Sequence, residues 1–335
     1  MYNLYIVRSP LQLINAIEAK HHFQTKNNIL YIIHSKSKVN SKHMYKILTM
    51  SPWDEVIEIN KENKKNKLLS NVQHIKSLKK RTFNYIFSGD IGNINTAFIS
   101  SLKKREVYLL DDGTMTLISH ERVSNPEKKE PWSINRFIKE NRYKLFGLNC
   151  TLNKETINYF TIFDIKPYKD EKIIKNDFSF LKNSFLSRLE KDLNRVYFIG
   201  QNLIDAEVMD EECYLRYIQH IIEYYKGKTI IYYPHRFETI SKNFQLLAGE
   251  NFIIKENEQP IEIELLTQDK YPMYIASFVS SALSSLKTIF QDSNIHSFVL
   301  KQEHLHKNKE NFKLIYNKQD KSIKQIDLDI KEDKK

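Results

Sequence analysis

Three short clusters of residues in this chain have the types and the placement to do chemistry. The first is Asp111-Asp112-Gly113, which closes the apolar run Val107-Tyr108-Leu109-Leu110. A carboxylate held at the end of such a run can take a proton from a reacting hydroxyl. The same residues can be a turn, since Asp-Gly between apolar stretches is a common hairpin signal and glycine accepts positive φ. Two features speak for more than a turn. The chain has 7 glycines in 335 residues, so each one answers a backbone demand. Two adjacent carboxylates also repel each other unless something uses them. The second cluster, Pro234-His235-Arg236, ends the β-rich run Thr229–Tyr233. A histidine there can be an ordinary surface residue. Beside an arginine it can also hold an anionic group through charge-assisted hydrogen bonds. The third cluster, Ser280-Ser281, separates an apolar run ending at Val279 from a helix-like stretch starting at Ala282. Serine is a favoured helix N-cap, and the N-terminus of a helix also binds phosphate, so the two roles are compatible.

Weaker candidates surround these. Gly200-Gln201 ends an apolar run and is either a turn or a place where backbone approaches a ligand. Glu262 and Glu264 follow Pro260 in the first turn of a helix. A carboxylate there complements the helix dipole, and it can also hold ribose hydroxyls. Ser9 and Pro10 end the first apolar run, with Asp90 ending another.

The elements that must position these residues alternate between strand and helix. Leu4–Val7 is a short apolar run, followed at once by Ser9 as N-cap, Pro10 at the first helical position, and Leu13, Ile14 and Ile17 at helical spacing. Strand-like runs recur at Asn27–Ser35, Asp54–Ile59, Phe83–Asp90 and Arg105–Gly113. A polar, irregular stretch from His120 to Phe137, with Trp132, reads as a loop leading into helix, and Ile165–Asp177 is charged and aperiodic. The domain boundary is placed there. The pattern restarts with strands at Arg195–Leu203, from Lys228, at Asn251–Ile254, at Tyr274–Val279 and from His296. Between the first two of these, the helix Asp210–Tyr225 carries Leu215, Ile218 and Ile222 on one face. Strands alternating with helices predict parallel α/β sheets, whose ligands gather at the carboxyl ends of the strands.

Composition limits the partners. The net charge is +11 with 41% hydrophobic residues, which fits a folded chain with an anionic partner or simply a lysine-rich surface. Cys150 and Cys213 are the only cysteines, a usage that suits a reducing compartment and offers no metal cluster. The N-terminal residues do not have the build of a signal peptide, and no run reaches the ~18 apolar residues of a membrane span. The expectation is a cytoplasmic protein, with enough positive charge for peripheral contact with the anionic inner face of the membrane.

Taken in order, Asp-Asp-Gly, Pro-His-Arg and Ser-Ser resemble the motifs of the bacterial sialyltransferases: an Asp/Glu-Asp-Gly motif, a His-Pro motif and a Ser or Ser-Ser motif. The chain is similar to the lipooligosaccharide sialyltransferases of glycosyltransferase family 52 and to the bacterial polysialyltransferases. The opening "RSPLQLINAIEA", with Ser9, Pro10 and Gln12, and the strand end "FIGQNL", with Gly200 and Gln201, are similar as well. The likeness runs from Tyr5 to about Leu286. It departs at His235, where the family has proline after the histidine and this chain has Arg236, with Pro234 before.

The resemblance implies an α/β fold of GT-B type, two Rossmann-like domains facing across a cleft. Residues 1–165 would form the acceptor-binding domain with the base, and 166–335 the CMP-donor domain. The implied reaction is inverting transfer of sialic acid from CMP-sialic acid to a hydroxyl of a lipooligosaccharide or capsule glycan. Asp112 would be the base, and Asp111 would orient it or raise its pKa by like-charge repulsion. His235 would hydrogen-bond or protonate the donor phosphate, and Ser280 and Ser281 would bind it. Glu262, with Glu264 close behind, would hold the ribose, while Gly200, Gln201, Pro234 and Arg236 would complete the donor site. Ser9, Pro10, Gln12 and Asp90 would face the acceptor. No cofactor and no metal is implied, because Asp-Asp-Gly lacks the spacing of an Asp-x-Asp metal motif. Two alternatives stay open: transfer of another CMP-activated nonulosonic acid or Kdo, and a basic protein without catalysis that binds nucleic acid or membrane. No nucleic-acid motif is present, so no nucleic-acid partner is expected.

Overall fold

The computed structural model of the chain describes residues 1–59, 67–113, 115–124, 138, 141–150, 152, 157–186 and 189–330. Trp132 and most of the polar stretch around it lie outside the described residues, as does the lysine-rich end of the chain. The protein divides into two compact units, Met1–Phe180 and Leu181–Lys335, each built on its own sheet.

The first sheet contains β1 (Tyr2–Val7), β2 (Asn28–Ile33), β3 (Glu55–Ile59), β4 (Thr82–Ser88), β5 (Lys103–Leu110), β6 (Ile157–Thr161) and β7 (Ile173–Lys175). Their order is β3-β2-β1-β4-β5-β6-β7, and every pair is parallel. Parallel strands need crossovers, and here most are helices, including Pro10–His22 after β1 and Asn93–Ser101 after β4. The helices cover the sheet, so β2 (sequence NILYII) is buried at every position and shows no alternation.

The second sheet contains β8 (Glu190–Ile199), β9 (Thr229–Tyr233), β10 (Phe252–Ile254), β11 (Lys270–Ser277), β12 (Asn294–Val299) and β13 (Lys324–Asp327). Its order is β10-β9-β8-β11-β12-β13, again all parallel. In each sheet the first strand lies between the second and the fourth. That is the Rossmann arrangement, and the gap beside the first strand is the switch point where ligands bind. In the first unit the switch point falls between β1 and β4. In the second it falls between β8 and β11.

Three sequence expectations change. The stretch Ile165–Asp177 is no linker: β7 lies inside it and pairs with β6, so the first unit runs on to Phe180 rather than ending at residue 165. A three-residue edge strand among charges has no period to read. The helix Glu211–Tyr224 buries Tyr214, Tyr217, Ile218 and Ile221, with Leu215 and Ile222 only half-buried at the flank. Its inner face combines Tyr214 and Tyr217 with Cys213, Ile218 and Ile221. Finally, the residues from His120 to Ser124 continue the helix Met115–Ser124 instead of opening a loop. Among the described residues no helix is long and apolar enough to cross a membrane.

Candidate functional site

Geometry separates the two readings of Asp111-Asp112-Gly113. Gly113 sits at φ 62°, the left-handed region that glycine enters without strain. The turn it makes leads from β5 straight into the helix Met115–Ser124, so the segment is a strand-to-helix turn and not a hairpin. Thr116 of that helix accepts the Asp112 N–H on its Oγ1 at 2.9 Å.

The two carboxylates then part company. Asp111 is 2% exposed and turns toward β6, where Oδ1 accepts from Thr161 Oγ1 at 2.6 Å and Oδ2 from the Ile162 N–H at 2.7 Å. Its carbonyl accepts from Asn15 Nδ2 at 3.0 Å, and Asn15 in turn takes Asn176 Nδ2 at 2.9 Å. This buried network joins the helix Pro10–His22 to the ends of β5, β6 and β7. Burial pushes the Asp111 pKa up to about 6, against the pull of its hydrogen bonds to Thr161 and Ile162. Desolvation is thus the leading cause of the shift. Asp112 is only partly buried, and its Oδ1 lies 3.4 Å from the Ser9 hydroxyl, which donates to it.

Ser9 does two jobs, since its Oγ also caps the helix by accepting the Gln12 N–H at 3.3 Å. Pro10 occupies the first helical turn as expected. Gln12 is 2% exposed and returns its Oε1 to the Arg8 N–H at 2.8 Å, so it shapes the loop after β1. Asp90, across the switch point, pairs with Arg8 Nε at 2.9 Å and accepts the Gly92 N–H at 2.6 Å.

The second unit gathers the other candidates. Gly200 follows β8, and a Cβ there would come within 2.3 Å of Tyr232 Oη and 2.4 Å of Glu238 Oε2. Only glycine fits. Gln201 spans the switch point: its Oε1 accepts the Val279 N–H at 3.3 Å, and its Nε2 donates to the Val279 carbonyl. The end of β8 is thereby tied to the segment that leads to Ser280.

After β9, the Pro234 carbonyl accepts from Asn257 Nδ2 at 3.2 Å. His235 accepts the Phe237 N–H on Nδ1 at 3.3 Å, and its Nε2 makes no hydrogen bond among the described residues. Burial, with the neighbouring Arg236 guanidinium, holds the imidazole pKa below its ordinary value. The ring is therefore neutral near pH 7, and a neutral ring that accepts on Nδ1 carries its proton on Nε2. Arg236 is exposed, with its guanidinium 5.1 Å from the Phe237 ring.

Sequence reading passed over Glu238. Its Oε2 accepts the His235 N–H at 2.8 Å, and its Oε1 accepts from Tyr232 Oη at 2.5 Å. Tyr232 Oη also lies 2.8 Å from Tyr214 Oη. Burial raises the Glu238 pKa to about 7. The signal was available, since Glu238 stands three residues after His235, but a charge after a strand reads as surface.

Ser280 precedes the helix Ala282–Ile289 and its Oγ accepts the Ala282 N–H at 3.3 Å. That leaves its hydroxyl proton to donate elsewhere. Ser281 is the formal N-cap with helical φ and ψ and no side-chain capping bond. Glu262 is 5% exposed and accepts from Ser285 Oγ at 2.7 Å; its pKa is raised by burial. Glu264 pairs with Lys255 at 3.1 Å. Both glutamates have protein partners, with Ser285 and Lys255 overlooked in the sequence. Among the described residues no group of His, Cys, Asp and Glu is placed to hold a metal ion.

Solved structures share this architecture. UDP-GlcNAc 2-epimerase from Methanocaldococcus jannaschii superimposes with a TM-score of 0.50 at 14% identity, covering 95% of this chain and 92% of that one. TcCGT1 in complex with UDP superimposes with a TM-score of 0.50 at 10% identity, covering 98% of this chain and 86% of that one. At such identities the likeness shows the fold alone, which is GT-B: two Rossmann-like α/β domains. No curated protein matches the sequence. The family model of alpha-2,8-polysialyltransferase (POLYST) matches residues 3–299, and the chain belongs to this family. It is a glycosyltransferase, using a nucleotide-sugar donor and a glycan acceptor.

Proposed function

We propose that the protein is an inverting sialyltransferase that moves sialic acid from CMP-sialic acid to a hydroxyl of a surface glycan. One observation carries the donor class: the polysialyltransferase match spans residues 3–299 and so contains all three motif clusters. The family description makes α2,8-linked extension of a sialylated acceptor the first reaction to test. A capsule or lipooligosaccharide glycan would be the natural acceptor. With a charge of +11, the surface suits peripheral contact with the anionic inner face of a membrane.

In the reaction, the bond between the sialic acid anomeric carbon and the CMP phosphate breaks as the acceptor oxygen attacks. The sugar passes through an oxocarbenium-like state. Asp112 takes the acceptor proton, supported by its accessibility and by the Ser9 hydroxyl that orients it. Asp111 holds the strand ends that mount it. The phosphate gains the bonding electron pair as CMP leaves. His235 offers Nε2–H to it, and the hydroxyls of Ser280 and Ser281 add donors at a helix N-terminus. Arg236 adds positive charge, Gly200 and Gln201 shape the strand end at the donor site, and Glu262 is the proposed partner of the ribose.

The test is incubation with CMP-sialic acid and an array of sialylated and neutral acceptors, following CMP release and the mass of the glycan. Gain of sialic acid with release of CMP is the expected result. Transfer from CMP-Kdo or another CMP-nonulosonate, with none from CMP-sialic acid, would overturn the donor assignment.

A further inference from the structure

Arg8 directly follows β1, at the switch point of the first sheet and one residue before Ser9. Its guanidinium is braced from two sides. Nε stands 2.9 Å from Asp90 Oδ2, and Nη2 donates to Asn95 Oδ1 at 2.7 Å. The braces are themselves held. Asn95 is fully buried, with its Nδ2 donating to Ser88 Oγ at 2.8 Å, and Asp90 keeps its other oxygen on the Gly92 N–H. This bracing leaves Nη1 with no hydrogen bond among the described residues, and the side chain is 31% exposed. Gly92 has no side chain to crowd this arrangement, in which an added Cβ would come within 2.9 Å of Asp90 Oδ1 and 3.5 Å of Arg8 Nη2.

A single ion pair to Asp90 would be enough to neutralise that carboxylate. Fixing the plane with a buried asparagine as well does something more: it preorganises Nη1, whose N–H groups are left to donate to a carboxylate. The residue next along the chain, Ser9, donates to Asp112. The guanidinium therefore stands one residue along the chain from the hydroxyl that donates to the proposed base, Asp112.

We propose that Arg8 binds the carboxylate of a sialic acid, that of the acceptor's terminal residue, and so holds the acceptor hydroxyl for Asp112. The inference rests on the sialyltransferase reading above and specifies its acceptor site. The acceptor is favoured over the donor because Ser9, the neighbour of Arg8, donates to Asp112, the group that takes the acceptor proton. Asp90 then serves as the brace of Arg8 rather than as a ligand of the sugar.

The test compares steady-state kinetics with a sialylated acceptor and with the methyl ester of the same acceptor, for wild type, Arg8→Lys and Arg8→Gln. A hydrogen-bonded charge pair of this kind corresponds to about a tenfold to hundredfold change in KM. Wild type should show a rise of that size for the ester. Arg8→Gln should show the same rise for the acid, with little further change for the ester, and Arg8→Lys should fall between. KM for CMP-sialic acid should stay put. The wild-type comparison stands even if a variant does not fold. Three outcomes overturn the proposal: a wild type indifferent to esterification, an Arg8→Gln penalty equal for acid and ester, or a change confined to the donor KM, which would move Arg8 to the donor's carboxylate. Absence of any transfer from CMP-sialic acid by wild type overturns the parent reading instead, and the proposal with it.

Discussion

Asp111 and Asp112 are neighbours with separate work. Both oxygens of Asp111 point into the protein, whereas Asp112 meets Ser9 at a partly open position. Substitution should separate them. Asp112→Asn keeps the shape and the Thr116 contact through the backbone N–H. Its melting temperature and its stabilisation by CMP should stay close to wild type, while transfer falls by about 10²–10⁴-fold, the usual cost of losing a positioned base. Near wild-type turnover in this variant would return the segment to being a turn. Asp111→Ala should act on stability instead. It leaves the Thr161 hydroxyl and the Ile162 N–H without their buried acceptor, and each such loss costs about 1–3 kcal/mol. Chemical denaturation should therefore shift to lower denaturant for Asp111→Ala and scarcely at all for Asp112→Asn.

At the scale of the element, the loop after β9 is set by one buried carboxylate. Glu238 holds the His235 N–H and the Tyr232 hydroxyl, and Gly200 leaves room for both Tyr232 and Glu238. Gly200→Ala should disturb the ends of β8 and β9 together, costing on the order of 1–3 kcal/mol as overpacking does and weakening CMP binding. Thermal melting with and without CMP would show it, and an unchanged CMP shift would mean that this strand end is not part of the donor site. Glu238 also gives a pH signature. Its pKa rises from 4.5 to about 7 on folding, chiefly through burial. The folded state thus holds the proton more tightly than the unfolded chain. This contribution to stability is fully present below pH 4.5 and is lost as pH rises through about 7. Unfolding free energy measured from pH 4.5 to 8 should fall more steeply for wild type than for Glu238→Gln, which has no proton to lose. Equal slopes would show that Glu238 keeps its ordinary pKa in the folded protein.

For the molecule as a whole, the excess of 52 Lys and Arg over 41 Asp and Glu is the dominant long-range property. Exposed charges attract an anionic acceptor over about 10 Å at 0.1 M salt, and over about 3 Å at 1 M. The KM for a sialylated acceptor should therefore rise with ionic strength, more for longer sialyl chains than for short ones. The kcat at saturating acceptor should change little. A KM independent of salt would confine acceptor recognition to short-range contacts such as the one proposed for Arg8.

Much of this organisation could be read from the chain. The β1–helix junction was legible because Ser9 and Pro10 are local signals with local causes. The parallel α/β class followed from strand-like runs alternating with helix-like ones, because parallel strands need crossovers between them. The apolar runs before Asp-Asp-Gly, Pro-His-Arg and Ser-Ser placed the clusters at strand ends, where the structure has them. What the sequence could not supply depends on pairing between distant residues. The edge strand β7 exists because β6 offers it hydrogen bonds, and nothing in "IIK" announces that. The inward turn of Asp111 depends on Thr161 and Ile162, fifty residues away, and the bracing of Arg8 depends on Asp90 and Asn95. Glu238 looked like a surface charge until Tyr232, Tyr214 and Gly200 closed around it. Local chemistry determined which residues end the strands. Only tertiary contact, through burial and hydrogen bonds across the sheet, decided which of those residues are held in place and which are left to act.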